Sequence, residues 1–270
     1  MSEPILSVDN LEVRFGKRGS EKTVIHGVSF DLHAGETLSL VGESGSGKTT
    51  IGRAILGLAP VNAGRIAFRG STISNISRTE RRKVARDIQV VFQDPYSSLN
   101  PSMRIEDILI EPMAAVGMQN NRARVRELLD SVGLPSDTAE RYPREFSGGQ
   151  RQRIAIARAL ALEPAVIVCD EPTSALDVTT QARVLALFKE IQAATGVAYL
   201  FISHDLGVVN HISDRIAVLY QGCIVEIGEA HQVSTAPRDD YTRKLQMAAP
   251  VADPVLQKQR RARRLEILGA

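Results

Sequence analysis

The sequence predicts an α/β fold with an antiparallel β subdomain at its N-terminal side and an α-helical subdomain inserted in the core. Three observations predict it. The apolar stretch Thr37–Val41 runs through a glycine-rich loop into a helical pattern at 50–56, a strand–loop–helix order. Further apolar runs at 88–92, 165–169 and 197–202 have the length and composition of buried core strands. Residues 96–145 carry helical periodicity with no strand signal, so a helical lobe over 96–155 divides the α/β core.

The elements follow in order. Residues 5–15 alternate loosely and read as a strand, 17–22 as a polar turn and 23–32 as a second strand. Ala34-Gly35-Glu36 turns into the strand that enters the loop, so an antiparallel hairpin region precedes the core. Gly57 and Pro60 stop the first helix, and a strand at 65–68 starts after Ala63-Gly64. Residues 77–87 are basic and helical, with Arg78, Arg81, Arg82, Lys83 and Arg86 on what reads as a solvated face. The strand at 88–92 ends in Gln93-Asp94-Pro95. In the helical lobe, Ile105, Ile108 and Leu109 form one apolar stripe; Val125, Leu128, Leu129 and Val132 form another, stopped by Gly133. Phe146-Ser147-Gly148-Gly149-Gln150 opens a helix over 151–161. A helix over 178–194 has Asp177 as its N-cap and Gly196 as its stop. The last strands, 216–220 and 223–227, form a hairpin turned by Gln221-Gly222. From Pro250 the pattern weakens into a basic helical tail with Lys258, Arg260, Arg261, Arg263 and Arg264. A solvated tail is the plain reading; an acidic partner or lipid headgroups are the sharper one.

Composition bounds the class. The 270 residues are 43% apolar and 24% charged, which suits one large α/β domain or a two-lobed one. A net charge of +2 gives no argument for nucleic acid. Cys169 and Cys223 are far apart and lie in apolar runs, so both are expected to be buried free thiols in a reducing compartment. Met1-Ser2-Glu3-Pro4 lacks the pattern of a signal peptide, and no apolar stretch approaches the length of a bilayer span.

The chemistry begins at Gly42-Glu43-Ser44-Gly45-Ser46-Gly47-Lys48-Thr49-Thr50, which fits the G-x-x-x-x-G-K-[ST] phosphate-binding loop. Glycines let successive N–H groups turn toward one anion, Lys48 adds a point charge at the β- and γ-phosphates, and Thr49 offers a hydroxyl to Mg²⁺. Ser147-Gly148-Gly149 at a helix start is a second anion site by the same logic, or a plain cap. Asp170, ending a strand, suits a Mg²⁺ ligand; Glu171, one step on, suits a general base. Gln93 and His204 sit at the carboxyl ends of strands, where ligands bind in open α/β sheets. Gln93 would complete a Mg²⁺ shell or orient a water; His204 would contact the γ-phosphate. Capping alone explains Asp177. Phe15 suits either adenine stacking or ordinary core packing.

Together these motifs resemble the ATP-binding cassette (ABC) family across essentially the whole chain. The phosphate loop matches at Gly42 to Thr49, the Q-loop at Gln93 and the signature at Ser147 to Gln150, with Phe146 where Leu is commoner. The Asp-Glu pair matches at Asp170 and Glu171, the D-loop at Ser174 to Asp177 and the switch histidine at His204. The resemblance puts Phe15 where the family stacks an aromatic on adenine. It implies an ABC-type P-loop NTPase core over 1–240, with a C-terminal segment and basic tail over 241–270. The phrases Val91 to Pro101, Arg141 to Phe146 and Leu200 to Leu206 look like the ATPase subunits of oligopeptide and dipeptide importers; nickel and glutathione importers share them. That subfamily usually reads His-Pro-Tyr-Thr near its C-terminus, where this chain has Asp239-Asp240-Tyr241-Thr242. The cysteine cluster that some relatives use for an iron–sulfur centre has no counterpart here.

The resemblance implies ATP and Mg²⁺ as cofactors and hydrolysis coupled to solute import. It implies a second ATPase subunit, a non-identical mate before a homodimer, with Ser147-Gly148-Gly149 closing on the mate's ATP. Membrane permease subunits would dock coupling helices beside Gln93, and an extracytoplasmic binding protein would deliver the solute. The place implied is the cytoplasmic face of the bacterial inner membrane, peripherally bound. Oligopeptides or dipeptides are the first expectation for cargo, with nickel, glutathione or another small solute as the alternative. An ABC ATPase acting on nucleic acid is the remote one.

Overall fold

The structure, a computed structural model, describes residues 3–17, 19–118 and 122–248. β1 (Leu6–Phe15), β2 (Lys22–Leu32) and β3 (Thr37–Val41) lead to α1 (Lys48–Ile55); β4 (Ala63–Phe68), β5 (Ser71–Thr72), α2 (Arg78–Asp87) and β6 (Ile88–Val91) follow. Next come α3 (Pro95–Ser98), α4 (Ile105–Ala115), α5 (Arg122–Ser131), two short 3₁₀ turns and α6 (Gly148–Leu160). The chain continues through β7 (Val166–Asp170), α7 (Val178–Thr195), β8 (Ala198–Ser203) and α8 (Leu206–Ile212). It closes with β9 (Arg215–Tyr220), β10 (Cys223–Glu229), α9 (Ala230–Thr235) and α10 (Asp240–Ala248).

The strands form two sheets. One is antiparallel, in the order β2-β1-β4-β5. The other runs β10-β9-β3-β8-β7-β6, with β9, β3, β8, β7 and β6 parallel and β10 antiparallel at the edge. β3 is buried at all five positions, as a strand covered on both faces must be. Its polar members are buried with partners: Thr37 Oγ1 accepts from Gln192 Nε2 at 3.0 Å, and the Ser39 and Ser213 hydroxyls share a hydrogen bond.

Along β8 the side chains divide between two cores. Ala198, Leu200 and Ile202 pack with Leu6, Ile25 and Ile51, from the antiparallel sheet and α1. Tyr199 and Phe201 point the other way, toward the helices. There the Phe188 ring of α7 meets both edge-on, at 5.3 and 5.9 Å, and Tyr199 donates its hydroxyl to Phe188 O. Among the described residues, the segment between β6 and β7 contains helices and no strand. Both predicted stripes, Ile105/Ile108/Leu109 and Val125/Leu128/Leu129/Val132, are buried in one cluster with Ile154 and Ala157 of α6.

Three expectations change. Helix α2 has no buried residue and carries a Ser77–Glu80 capping box, as a solvated helix should. Arg81, however, turns inward: its guanidinium donates to Ile55 O at 3.0 Å and also to Ile73 O, tying α2 to the end of α1. Helix α6 starts at Gly148, not at residue 151, because Ser147 caps it three residues early. Cys169 is buried, but Cys223 is exposed. Cys223 opens β10, the edge strand, directly after the hairpin turn, where it pairs with Tyr220 of β9 and its Sγ reaches His26 O of β2 at 4.0 Å but stays open to solvent. A thiol reagent should therefore modify Cys223 quickly in the folded protein and leave Cys169 untouched until unfolding. Mass spectrometry of the labelled peptides checks this; equal labelling of both would contradict the burial. Burial also pushes the Cys169 thiol well above its ordinary pKa, which slows its reaction further. The basic tail from Lys258 lies outside the described residues.

Candidate functional site

The site is built where β3 ends. Its loop must turn from a buried strand into α1 within six residues, and the glycines are where that turn is tightest. A Cβ on Gly42 would lie 2.1 Å from Leu219 O, and Gly47, the N-cap of α1, sits at φ 108°. Any L side chain would clash at the first and be strained at the second. The loop encloses Lys48, which is only 4% exposed. Its Nζ donates to Gly42 O at 2.7 Å and to Glu43 O at 2.9 Å. Burial lowers the Lys48 pKa, and the Glu171 and Asp170 carboxylates push it back up.

The parallel order places β7 beside β8, with Asp170 opposite Ile202. Thr49 Oγ1, in the first turn of α1, donates to Asp170 Oδ1 at 2.9 Å. Burial raises the Asp170 pKa; the Thr49 hydrogen bond opposes it, and the neighbouring Glu171 charge adds to it. Glu171 has left-handed backbone, φ 48°, and its N–H is pinned to Ile202 O at 3.0 Å. A non-glycine residue held there is strained, at about 1–3 kcal/mol. That geometry sets Glu171 Oε2 3.1 Å from His204 Nδ1 at the end of β8.

A cavity of about 420 Å³ is lined by Phe15, Val24, Ser44, Gly45, Gly47, Lys48, Thr49, Thr50 and Glu171. Phe15 is 45% exposed at this cavity, so it is not packed in the core. A smaller cavity of about 130 Å³ continues past Glu171, along Ser174, Gln181, Ser203 and His204. The other predicted residues lie elsewhere. Gln93 is exposed beyond β6 and is not among the residues lining either cavity. Ser147 caps α6: its Oγ accepts from the Gln150 N–H at 3.4 Å, and Gln150 Oε1 accepts from the Ser147 N–H at 3.0 Å. Gly148 and Gly149 form the first turn, with Gly149 so close to α7 that a Cβ would lie 2.4 Å from Thr180 Cγ2. Phe146 is buried under the Arg141 guanidinium, 4.6 Å from its ring centroid, which accounts for an aromatic at this position. Asp177 caps α7 by accepting from the Thr180 N–H at 3.0 Å.

Two contacts to the loop come from far along the chain and escape any local pattern. The Gly222 N–H, in the β9–β10 turn, donates to Ser46 O at 2.9 Å. The Glu43 N–H donates to the Tyr241 hydroxyl of α10 at 3.2 Å. Asp239 and Asp240, standing in place of the expected His-Pro, start that helix. Asp239 Oδ1 accepts from the Tyr241 N–H at 2.8 Å, and Asp240 sits in the first turn, where a negative charge is favoured.

Residues 25–174 match the model of the ABC transporter family. The glutathione import ATP-binding protein GsiA of Escherichia coli (strain K12) is 51% identical over 269 residues, covering 96% of this chain and 43% of that protein. GsiA of Shigella boydii serotype 4 (strain Sb227) matches to the same extent. The chain thus spans less than half the length of these curated relatives. Among solved structures, cbiO1 from Clostridium perfringens, part of the ABC transporter complex cbiONQ, superposes with a TM-score of 0.76 at 28% identity, covering 86% of this chain and 91% of that one. The ATP-binding cassette MJ0796, in a dimeric post-hydrolysis state bound to ADP and Pi, gives 0.74 at 28% identity, covering 83% and 98%. With the loop, the strand-end carboxylates and the two-sheet architecture described above, the chain belongs to the ABC transporter family and has its ATPase fold.

Proposed function

We propose that this chain binds and hydrolyses ATP as one member of a head-to-tail ATPase pair and so powers the import of a small peptide-like solute, glutathione first. The observation that carries the ATPase reading is the gathering of Lys48, Thr49 and Glu171 around one cavity with an exposed aromatic, Phe15, on its wall, with Asp170 accepting from Thr49 and with His204 meeting Glu171 from the smaller cavity beyond. Phe15 would stack on adenine, the loop N–H groups and Lys48 would hold the phosphates, and Glu171 would take the proton of the attacking water. His204 would orient Glu171 through their hydrogen bond. The division into an ATPase domain over 1–240 and a C-terminal segment from 241 belongs to the same proposal.

Mg²⁺ fits the donors present. Thr49 and Asp170 bring two hard oxygens, a hydroxyl and a carboxylate, within 2.9 Å of each other, the donor types that a hard divalent cation takes. These two residues would hold the ion, with Gln93 as a further proposed ligand; the ion's chemistry is to neutralise charge on the phosphate oxygens.

The cargo reading moves from the first expectation of general oligopeptides toward glutathione, because the relatives at 51% identity carry glutathione import in their names. The place proposed is the cytoplasmic face of a bacterial inner membrane, with permease subunits and an extracytoplasmic binding protein as the other components. Among the described residues, no helix is long and apolar enough to cross a membrane, so the spanning part of that assembly is assigned to the permease.

Pairing is proposed because Ser147 is exposed and lines neither cavity around its own loop. A photo-crosslinking residue placed at Ser147 should, with ATP, capture a phosphate-loop peptide from a second ATPase chain in a band heavier than the single chain. The mate is expected to be a similar, non-identical ATPase, and sequencing that band identifies it or shows a homodimer. Monomer-sized products alone, with ATP bound, would exclude the head-to-tail arrangement.

A further inference from the structure

The peptide unit joining Gly42 to Glu43 is held at both ends. Its carbonyl oxygen accepts from Lys48 Nζ at 2.7 Å, and its N–H donates to the Tyr241 hydroxyl at 3.2 Å. Tyr241 lies 198 residues further along the chain, on α10. Its ring rests on Tyr220 of β9, with centroids 4.2 Å apart and planes tilted by 36°.

The helix that carries Tyr241 is itself anchored. Glu226, on β10 and 8% exposed, accepts from the Arg238 N–H at 2.9 Å, the Asp239 N–H at 3.1 Å and Gln232 Nε2 at 3.1 Å. Burial pushes the Glu226 carboxyl up, but these donors together hold it below its ordinary pKa, so it stays an acceptor. Leu245 packs against the main core one turn beyond Tyr241. The Tyr241 hydroxyl is therefore delivered to the loop by a fixed element, not by a loose tail.

A peptide group is planar, so fixing the direction of its N–H fixes the direction of its C=O. Gly42 has no side chain to resist rotation of this unit. Without a partner for the Glu43 N–H, the plane is held at one end only, by Lys48, and keeps its direction only as long as the ammonium stays on Gly42 O. We propose that Tyr241 is a positioning residue for the phosphate loop: it holds the Gly42–Glu43 peptide with its oxygen on Lys48, so that the loop meets a nucleotide already shaped. The C-terminal helix is then a working part of the nucleotide site. This inference rests on the reading of the loop as that site.

Tyr241→Phe tests it, because the ring and its contact with Tyr220 remain and only the hydroxyl is lost. With a fluorescent ADP analogue as the probe, the dissociation constant should rise by about 3- to 10-fold, the worth of one hydrogen bond. KM for ATP should rise in parallel, with kcat within a factor of about two. The melting temperature without nucleotide should stay within about 2 °C. If the unmodified chain binds the analogue and Tyr241→Phe binds it as tightly, the inference alone falls. A drop in melting temperature of more than about 5 °C with kcat lost as well would make Tyr241 a prop for the fold, and would also overturn it. If the unmodified chain binds no nucleotide, the reading of the loop falls first and the inference with it.

Discussion

Glu171→Gln is expected to leave ATP bound and to slow its turnover by about 100-fold or more, the usual worth of a general base. Glutamine keeps the size and the left-handed backbone position of Glu171 but has no lone pair basic enough to take a proton from water. The groups that would hold the phosphates, Lys48 and the loop N–H groups, are untouched by the change. Removing a carboxylate that acts on Lys48 also removes a negative charge from beside the incoming triphosphate. ATP affinity should therefore stay level or increase while phosphate release stops. His204 Nδ1, 3.1 Å from Oε2, retains an oxygen or amide partner, so the geometry at the end of β8 should survive. A single-turnover experiment reads both quantities: ATP retained on the protein, and phosphate formed. Turnover within a factor of about three of the unmodified chain would remove Glu171 from the role of base.

The parts of this fold that show in the sequence are those where one residue type has one physical reason. β7 and β8 are short and largely apolar on both faces because a covered parallel strand has no wet side. Asp177 and Gly196 bound α7 because an N-cap needs a short acceptor and a left-handed stop favours glycine. What the sequence hides are the facts set by neighbours far along the chain. Cys223 lies in the same kind of apolar run as Cys169, and only the place of β10 at the sheet edge exposes it. Arg81 looks like the other basic residues of α2, and only the fold brings it the carbonyls of Ile55, at the end of α1, and Ile73, just after β5. Phe15 is undecided by strand periodicity; its exposure beside the loop becomes visible once β1 is placed against the cavity. The contact of Glu171 with His204 needs β7 beside β8 in one register, which no local pattern specifies. Tyr241 is the extreme case, since its partner is the loop's own backbone.

Lys48→Ala should do what Glu171→Gln does not, and abolish productive binding itself. The Lys48 ammonium is almost wholly enclosed, and it is held in place by two backbone carbonyls rather than by a carboxylate contact. Burial lowers its pKa, and the Glu171 and Asp170 carboxylates oppose that shift. Alanine removes the positive charge and takes the ammonium donor from Gly42 O and Glu43 O, of which Glu43 O still accepts from the Ser46 N–H at 3.2 Å. The two acidic residues are then uncompensated where a triphosphate has to enter. Loss of one charge-assisted contact to phosphate weakens binding by about 10- to 100-fold. Loss of a preorganised positive group at developing charge lowers the rate by a further 10²–10³ or so. Arginine should not restore either, because a planar guanidinium cannot occupy the compact position that the ammonium shares between two carbonyls. Calorimetric titration with ATP and a steady-state phosphate assay measure the two losses separately. An affinity within about two-fold of the unmodified chain would show that Lys48 serves the loop's own backbone and not the nucleotide. Set beside Glu171→Gln, the pair separates holding from cutting: one variant should keep ATP without cleaving it, the other should fail to keep it. If both lost affinity equally, Lys48 and Glu171 would be acting as one electrostatic unit, and the division of labour assigned to them would be wrong.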